Sequence, residues 1–301
     1  MSALTGRPVR VHVPATSANL GPGFDALGLA LGLGDDVVVT PRGEGLRIDV
    51  EGEGAADVPR DERHLVARVL LATLGRLGVA PGGLHLACTN RIPHARGLGS
   101  SAAAIVAGLL AARALVDDGA SRLGDAEVLD LATAEEGHPD NVAACLLGGL
   151  TLAWDDGGRT GVLRHDPDPG TAAVAYVPPG GVSTHEVRRL LPATVPHADA
   201  AANAGRAALL VQALTRRPDL LLPATQDRLH QAYRAPAMPG SAALVERLRA
   251  DGVPAVVSGA GPTVLALVPA ADAPGLAAAA PEGFAAHVLA LRAEGATAAP
   301  A

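Results

Sequence analysis

The segment at positions 93–103, PHARGLGSSAA, constrains this chain more than any other part of it. Its two glycines, Gly97 and Gly99, predict a tight turn with accessible backbone N–H groups. Positions 102–114 contain only Ala, Ile, Val, Gly, Leu and Arg, and they predict a helix. Free N–H groups and the positive end of the helix dipole converge at the start of such a helix, so we expect it to bind phosphate.

Two serines stand at the junction between this turn and the helix. We expect Ser100 or Ser101 to cap the helix by accepting a hydrogen bond from a free backbone N–H group. A hydroxyl group at this position can also ligate Mg²⁺, as it does in other phosphate loops. On the loop alone, an ordinary glycine-rich turn that caps a helix is the alternative interpretation.

The basic residues of the chain narrow the class of phosphate-binding protein. All 24 are arginine, and lysine is absent from the sequence. This excludes a P-loop NTPase, a protein kinase and a Schiff-base enzyme, because each of these needs a particular lysine. A bound phosphate group would be held by backbone N–H groups, Ser or Thr, Arg and a metal ion.

The composition indicates a globular protein with a substantial core. The 301 residues suit two domains, and 49% of them are hydrophobic. The net charge of −7 disfavours nucleic acid and anionic membranes as partners. Cys88 and Cys145 lie in apolar settings and are expected to be reduced core residues. We find no signal-peptide pattern within positions 1–14 and no apolar window of about 18 residues, so we expect a cytoplasmic protein.

Hydrophobic periodicity predicts a mixed chain of strands and helices. Strands are predicted at 9–14, 26–33, 36–41, 46–51, 84–90, 148–154, 172–177, 255–258 and 264–268. Helices are predicted at 65–77, 102–114, 127–136, 141–147, 183–191, 198–215 and 241–251. The segment 155–170, rich in Asp, Gly, Pro and Arg, is the predicted domain boundary. The last few residues of the chain are expected to fray.

Three segments together resemble the GHMP small-molecule kinases, the family of galactose, homoserine, mevalonate and phosphomevalonate kinases. They are VPATSANLGPGFD at 13–25, the loop at 93–103, and SGAGPT at 258–263. Four segments resemble the homoserine kinase branch of this family in particular: SANLGPGFD at 17–25, EGHPDNV at 136–142, RRLLP at 188–192 and HQAYR at 230–234. The absence of lysine favours the same branch, because mevalonate kinases carry a lysine in the first motif region.

The resemblance implies an α+β protein with the GHMP kinase fold. Residues 1–157 would form an N-terminal domain like domain 2 of ribosomal protein S5, and residues 158–301 a ferredoxin-like C-terminal domain. With Mg²⁺, such an enzyme transfers the γ-phosphate of ATP to the hydroxyl group of L-homoserine. The product is O-phospho-L-homoserine, an intermediate of threonine biosynthesis. A homodimer is a further expectation from the resemblance.

The resemblance also assigns the substrate contacts. Arg188 and Arg234 match the arginines that hold the carboxylate, for which a planar guanidinium group is well suited. The other expected substrate residues are Asn19, Asp25, His138 and Asn141. Asp25 is the candidate for orienting the reacting hydroxyl group and Asp140 the second choice, while Arg188 is also a candidate for assisting the transferred phosphate. From residue type alone, the arginines would be surface residues, Asn19 and Asp25 turn formers, and Asp140 and Asn141 helix caps.

The nucleotide and the metal ion are assigned to the glycine-rich loop and to one acidic position. The loop residues are Pro93, His94, Ala95, Arg96, Gly97, Leu98, Gly99, Ser100, Ser101, Ala102 and Ala103. Ser101 and Glu136 are the expected Mg²⁺ ligands, with Ser100 and Glu135 as alternatives. His64 stands where many relatives carry Asn near the adenine. Another GHMP kinase acting on a small alcohol, or a non-catalytic regulator on this fold, are the competing functions.

Overall fold

The computed structural model describes residues 4–301, and its larger β-sheet has seven strands. They are β1 (Val9–Ala18), β2 (Leu27–Arg42), β3 (Gly45–Gly52), β4 (Gly83–Asn90), β5 (Leu150–Asp155), β6 (Thr160–His165) and β11 (Thr297–Pro300). The order is β11-β1-β2-β4-β3, and β5 pairs with both β2 and β6. Only β3 and β4 pair in parallel, and helix α1 (Leu65–Arg76) connects them.

The two strands predicted at 26–33 and 36–41 form one continuous strand of 16 residues, β2. Its pairing register with β1 shifts between Pro14 and Ala15. A proline cannot donate to the hydrogen-bond ladder, and a β-bulge accommodates it without ending the strand. The hydrophobic pattern is interrupted at the bulge while the strand itself continues.

A helical layer covers one face of the larger sheet. It contains α1 together with α2 (Ser100–Leu115), α3 (Gly119–Arg122), α4 (Asp125–Glu136) and α5 (Pro139–Leu147). Helix α2 is buried along most of its length, which explains why it is apolar on nearly every side. Gly108 lies so close to α1 that an added Cβ atom would be 2.8 Å from the Cβ atom of Val69. The main core fills the space between these helices and the sheet.

The smaller sheet has four antiparallel strands: β7 (Thr171–Val177), β8 (Ala255–Val257), β9 (Val264–Pro269) and β10 (Ala285–Ala290). Between β7 and β8 the chain forms α6 (Thr184–Arg188), α7 (His197–Thr215), α8 (Leu221–Ala224), α9 (Gln231–Arg234) and α10 (Pro239–Ala250). Helix α11 (Ala273–Ala278) lies between β9 and β10. The strand order β10-β7-β9-β8 is the 4-1-3-2 order of a ferredoxin-like unit. The predicted α+β class is confirmed.

Two parts of the larger sheet were not predicted. Strand β6 lies inside the predicted boundary segment 155–170. It pairs with β5 at the edge of the sheet, and none of its residues is fully buried. Residues 297–300 were expected to fray but pair with β1, so that prediction was wrong. Strand β11 is short and alanine-rich and therefore lacks a recognisable pattern. The division of the chain at 157/158 stays a prediction.

Within residues 4–301, no helix combines the length and the apolar character that crossing a membrane requires. Cys88 and Cys145 are both buried and unpaired, as predicted.

Candidate active site

A cavity of about 310 Å³ is lined by the six residues that the sequence analysis assigns to the substrate, and we call it the charged cavity. Its walls come from the segment after β1, the start of α2, the α4–α5 connection, the segment before β9, and helices α6 and α9. The lining residues are Ala18, Asn19, Asp25, Ala95, Gly97, Gly99, Ser100, Ser101, Glu136, His138, Asp140, Asn141, Val182, Ser183, Thr184, Arg188, Arg234, Gly259 and Ala260. The structure therefore brings every predicted substrate residue to one place.

A second cavity, of about 290 Å³, meets the first at the start of α2, and we call it the apolar cavity. Its lining residues are Val13, Asp35, Val37, Val58, Pro59, Arg63, His64, Leu65, Val66, Asn90, His94, Ser100, Ser101, Ala103, Ala104 and Ala107. Ser100 and Ser101 belong to both cavities. The Nδ1 atom of buried His64 has no hydrogen-bond partner, and burial lowers the pKa of this imidazole.

The glycine-rich loop has the backbone geometry that its sequence predicts. Gly99 immediately precedes α2 with φ +72°, in the left-handed region that glycine tolerates best. An added Cβ atom at Gly97 or Gly99 would clash with the Ser258 carbonyl oxygen or the Thr16 side chain, respectively. Neither serine caps the helix, so the expected capping role was wrong: α2 begins at Ser100, and no side chain caps it.

The residues of this loop divide between the cavities and the surrounding structure. Ala95, Gly97 and Gly99 line the charged cavity, whereas His94 and Ala103 line the apolar one. The remaining four, Pro93, Arg96, Leu98 and Ala102, line neither cavity. Arg96 donates to the carbonyl oxygens of His94, Pro178 and Pro179, so its guanidinium group fastens the segment that leads to α6.

The two alternative acidic metal ligands occupy different environments. Glu136 lines the charged cavity, and its Oε2 atom accepts a hydrogen bond of 2.7 Å from Ser101 Oγ. Glu135 lies outside this cavity and forms an ion pair with Arg68. Burial raises the pKa of Glu136, so a nearby cation would stabilise its ionised form. The Ser101–Glu136 pair supplies two hard oxygen atoms, which suits Mg²⁺. Within residues 4–301, no group of three or more His, Cys, Asp and Glu side chains forms a metal site by itself.

The first motif presents an acidic side chain to the charged cavity. Asn19 and Asp25 have φ values of +66° and +55°, which Asn and Asp tolerate better than most residues. The Asn19 side chain accepts from the Asp25 backbone N–H at 2.9 Å and donates to the Gly259 carbonyl oxygen at 2.9 Å. Asp25 forms a two-point ion pair with Arg188. Asn19 therefore acts as a turn former that also joins the first motif to the third.

The α4–α5 connection contributes a second group of polar residues. His138 Nδ1 lies 3.3 Å from Asp140 Oδ1 without hydrogen-bond alignment, and this carboxylate raises the pKa of His138. Asn141 Oδ1 accepts a hydrogen bond of 2.8 Å from Thr16 Oγ1. Helix α5 begins at Pro139, so Asp140 and Asn141 lie in its first turn and not at the N-cap position. Asp140 Oδ1 still accepts a hydrogen bond of 2.7 Å from the Asn141 backbone N–H and so satisfies one N–H group of this turn.

Arg234 is the most unusual residue of the charged cavity. Its side chain is fully buried, with 2% of the residue exposed, and its Nε atom has no hydrogen-bond partner. Among residues 4–301, it forms no ion pair with a carboxylate. Burial lowers the pKa of this guanidinium group, and Asp25, Asp227 and Asp140 only partly oppose that shift. A bound anion would offset the cost of burying the charge. The structure thus reverses the expectation from residue type that this arginine lies at the surface.

Several residues that organise the site were not singled out from the sequence. Buried Ser258 donates a hydrogen bond of 2.6 Å to the Gly97 carbonyl oxygen, and buried Asn203 donates one of 2.8 Å to the Pro22 carbonyl oxygen. Thr16 supports Asn141, as described above. Ser258 and Thr16 lie within two of the quoted motifs, but Asn203 is one polar residue in an alanine-rich helix and has no distinguishing pattern.

The chain matches known proteins along most of its length. Models of the GHMP kinase N-terminal and C-terminal domains match residues 64–149 and 200–286. The homoserine kinase of Streptomyces avermitilis is 63% identical over 298 residues, covering 99% of this chain and 98% of the relative. That of Rhodococcus erythropolis is 52% identical over 271 residues, covering 87% of this chain and 86% of the relative.

Solved structures give the same result. The homoserine kinase structure from Cytophaga hutchinsonii is 27% identical with a TM-score of 0.80, and the match covers 98% of both chains. The mevalonate kinase of L. major, solved with R-mevalonate, is 18% identical with a TM-score of 0.69 over 97% of this chain and 98% of that one. This second likeness concerns the fold alone. From the domain matches and the full-length relatives, the chain belongs to the GHMP kinase family and, within it, to the homoserine kinases.

Proposed function

We propose that this protein phosphorylates the side-chain hydroxyl group of L-homoserine at the expense of ATP and releases O-phospho-L-homoserine and ADP. The observation that carries the proposal is the charged cavity, whose lining includes both a buried arginine without an ion-pair partner and the glycine-rich start of α2. The relatives named homoserine kinase support the same activity. The product belongs to threonine biosynthesis.

The charged cavity offers complementary groups to a zwitterionic alcohol. Arg234 and Arg188 would bind the carboxylate group. Asp25 is paired with Arg188. An entering homoserine would exchange this ion pair for two others, its carboxylate with the arginines and its ammonium group with an acidic side chain. Asn19, His138 and Asn141 would supply the remaining polar contacts.

The arrangement of the two cavities suits ATP. The adenine and ribose would occupy the apolar cavity, whose lining is mainly aliphatic, and the phosphates would reach the charged cavity at Ser100 and Ser101. Backbone N–H groups of the glycine-rich loop and the first turn of α2 would bind the phosphates. Ser101 and Glu136 would hold Mg²⁺, which supplies charge neutralisation for the phosphate oxygens when it is bound.

The residues of the site act mainly by positioning and by electrostatic stabilisation. Phosphoryl transfer passes through a loose transition state with charge spread over the transferred group, so a strong base is not essential. Asp25 would orient the attacking hydroxyl group, with Asp140 as the alternative, because both line the charged cavity. Arg188 would add positive charge near the transferred phosphate. It would give up its ion pair with Asp25 and contact the reacting group instead.

A coupled assay of ADP release tests the proposal against its competitors. We expect release to require both L-homoserine and Mg²⁺, with L-serine and mevalonate as poor substrates. Equal rates with mevalonate would transfer the activity to another branch of the family. Binding of homoserine or ATP without ADP release under any condition would favour a non-catalytic regulator.

Two further expectations accompany the proposed function. The cytoplasm is its proposed location, since ATP is the phosphate donor and two free cysteines suit a reducing compartment. A homodimer remains a prediction that light scattering of the purified protein can test. The net charge of −7 continues to argue against nucleic acid and anionic membranes as partners.

A further inference from the structure

The ring of Phe24 lies beneath both arginines of the charged cavity. The Cζ atom of Arg188 is 5.4 Å from the centre of this ring, and the Cζ atom of Arg234 is 5.2 Å from it. Both distances lie within the range of a cation–π interaction. One aromatic residue therefore contacts two guanidinium groups that come from different helices, α6 and α9.

His230 packs against the Phe24 ring and also contacts Arg234. Its imidazole ring is 5.1 Å from the Phe24 ring, centre to centre, with an interplanar angle of 31°. His230 Nε2 is 2.8 Å from the Gly21 carbonyl oxygen, and Nδ1 is 3.3 Å from Nη1 of Arg234. The carbonyl group can only accept and the guanidinium group can only donate. Nε2 therefore carries the proton, and Nδ1 accepts a hydrogen bond from Arg234.

The surroundings of His230 favour this neutral state. The residue is fully buried, and burial lowers its pKa. Two carboxylates act in the opposite direction: Asp227, 3.7 Å from Nε2, and the more distant Asp25. Asp227 already accepts hydrogen bonds from the backbone N–H groups of residues 229–231, and Arg234 adds a positive charge. A protonated His230 would present a donor to Arg234 in place of the acceptor.

Hydrogen bonds to residues on both sides of Phe24 in the sequence fix its position. The carbonyl groups of the two residues that precede Gly23 accept hydrogen bonds from His230 and from Asn203. The residue after Phe24, Asp25, donates its backbone N–H to Asn19. The ring therefore lies on a short turn whose backbone is held on both sides.

We propose that Phe24 and neutral His230 form a positioning platform that fixes the two guanidinium groups for binding a substrate carboxylate. This inference rests on the proposed function, since L-homoserine is the molecule that supplies the carboxylate. The platform acts through the arginines and does not touch the reacting atoms. It holds Arg188 and Arg234 in a fixed relative orientation, so that both can contact one planar anion at the same time.

The decisive experiment compares two acceptors in the purified enzyme and its Phe24→Leu variant. L-homoserine has the carboxylate, whereas 3-aminopropan-1-ol has the same ammonium and hydroxyl groups without it. We expect the ratio of kcat/KM values, homoserine over aminopropanol, to fall about tenfold in Phe24→Leu, because the two cation–π contacts are lost. The KM for ATP should stay unchanged. An unaltered ratio would overturn the platform, even if both rates fell together through loss of structure.

Two further variants separate positioning from folding. Phe284→Leu makes the same substitution in a ring that packs in the smaller sheet's core, away from the charged cavity, and should leave the acceptor ratio unchanged. His230→Asn keeps an acceptor near the Nδ1 position, whereas His230→Leu removes it. We expect the homoserine KM to rise less in His230→Asn than in His230→Leu, and equal values would contradict the role of the acceptor.

A measurement on the free protein distinguishes failure of the platform from failure of the proposed function. Arginine side-chain NMR should reveal guanidinium resonances shifted by the Phe24 ring, and these shifts should disappear in Phe24→Leu but persist in Phe284→Leu. Absence of such shifts overturns the platform whatever the enzyme phosphorylates. Ring-shifted resonances together with no homoserine-dependent ADP release would instead refute the proposed substrate.

Discussion

The charged cavity and the apolar cavity are built in opposite ways. All residues of the apolar cavity come from positions 13–107, and most are aliphatic. The charged cavity collects residues from positions 18–260, including loops that precede or follow strands of both sheets. An apolar pocket needs only shape and volume, whereas binding of a zwitterion needs charges at defined separations. The charged cavity therefore depends on the relative placement of distant segments, and the two cavities meet only at Ser100 and Ser101.

The largest expected effect concerns this meeting point. We expect Glu136→Gln to lower kcat about 100-fold, because the neutral side chain no longer holds a divalent cation beside the transferred phosphate. Ser101→Ala should lower kcat more than about tenfold for the same reason. Neither substitution removes a helix cap, so melting temperatures should change little.

Glu135→Gln is the matched control for Glu136→Gln. It removes the same charge one residue earlier, from a side chain that pairs with Arg68 outside the charged cavity. Its kcat should stay close to that of the unaltered enzyme. If instead Glu135→Gln caused the larger loss, the metal site would have to be moved to that position.

The next effect is confined to the charged cavity. Arg234→Lys keeps a positive charge but loses the planar fork, and we expect the homoserine KM to rise about tenfold while the KM for ATP is unchanged. Arg249→Lys is the control, because Arg249 is half-buried and also donates to carbonyl oxygens, but it lies outside both cavities. It should affect the melting temperature without changing either KM. An unchanged homoserine KM in Arg234→Lys would remove this residue from the substrate site.

A pH dependence links the proposed metal site to its surroundings. Burial raises the pKa of Glu136, so this carboxyl group binds its proton at a higher pH than an exposed glutamate does. Mg²⁺ binds the ionised form, so metal and proton compete. We expect activity to fall on acidification, with a midpoint that moves to lower pH as the Mg²⁺ concentration increases. Steady-state rates at several Mg²⁺ concentrations measure this shift, and a midpoint independent of Mg²⁺ would argue against Glu136 as a ligand.

The smallest effect belongs to the apolar cavity. We expect His64→Ala to raise the KM for ATP about threefold, which corresponds to one neutral hydrogen bond, and to leave the homoserine KM unchanged. His64 precedes α1 without a capping hydrogen bond from its side chain, so the substitution removes no helix cap. This result would mirror that of Arg234→Lys. A change in both KM values would mean that the cavities are coupled more tightly than their separate linings indicate.

The sequence by itself determined the parts of this protein that depend on neighbouring residues. The glycine-rich turn, helix α2 and the strand that precedes them follow from local preference and periodicity, so they were predicted close to their observed bounds. The resemblance carried by the motifs predicted the family and the α+β fold, which the relatives and the strand order confirm. The proposed substrate residues could also be named in advance, because they lie within those motifs.

Only the tertiary structure decided what each of these residues contacts. It placed Glu136 against Ser101 and Glu135 against Arg68, a distinction that two adjacent glutamates in one sequence cannot reveal. In the folded protein Arg96 is directed away from the cavities, Arg234 is buried without an ion-pair partner, and the alanine-rich end of the chain pairs with β1. These outcomes depend on contacts between residues far apart in the chain. Local preference carries no information about such contacts, since their energy arises only when the two sheets and their loops have come together.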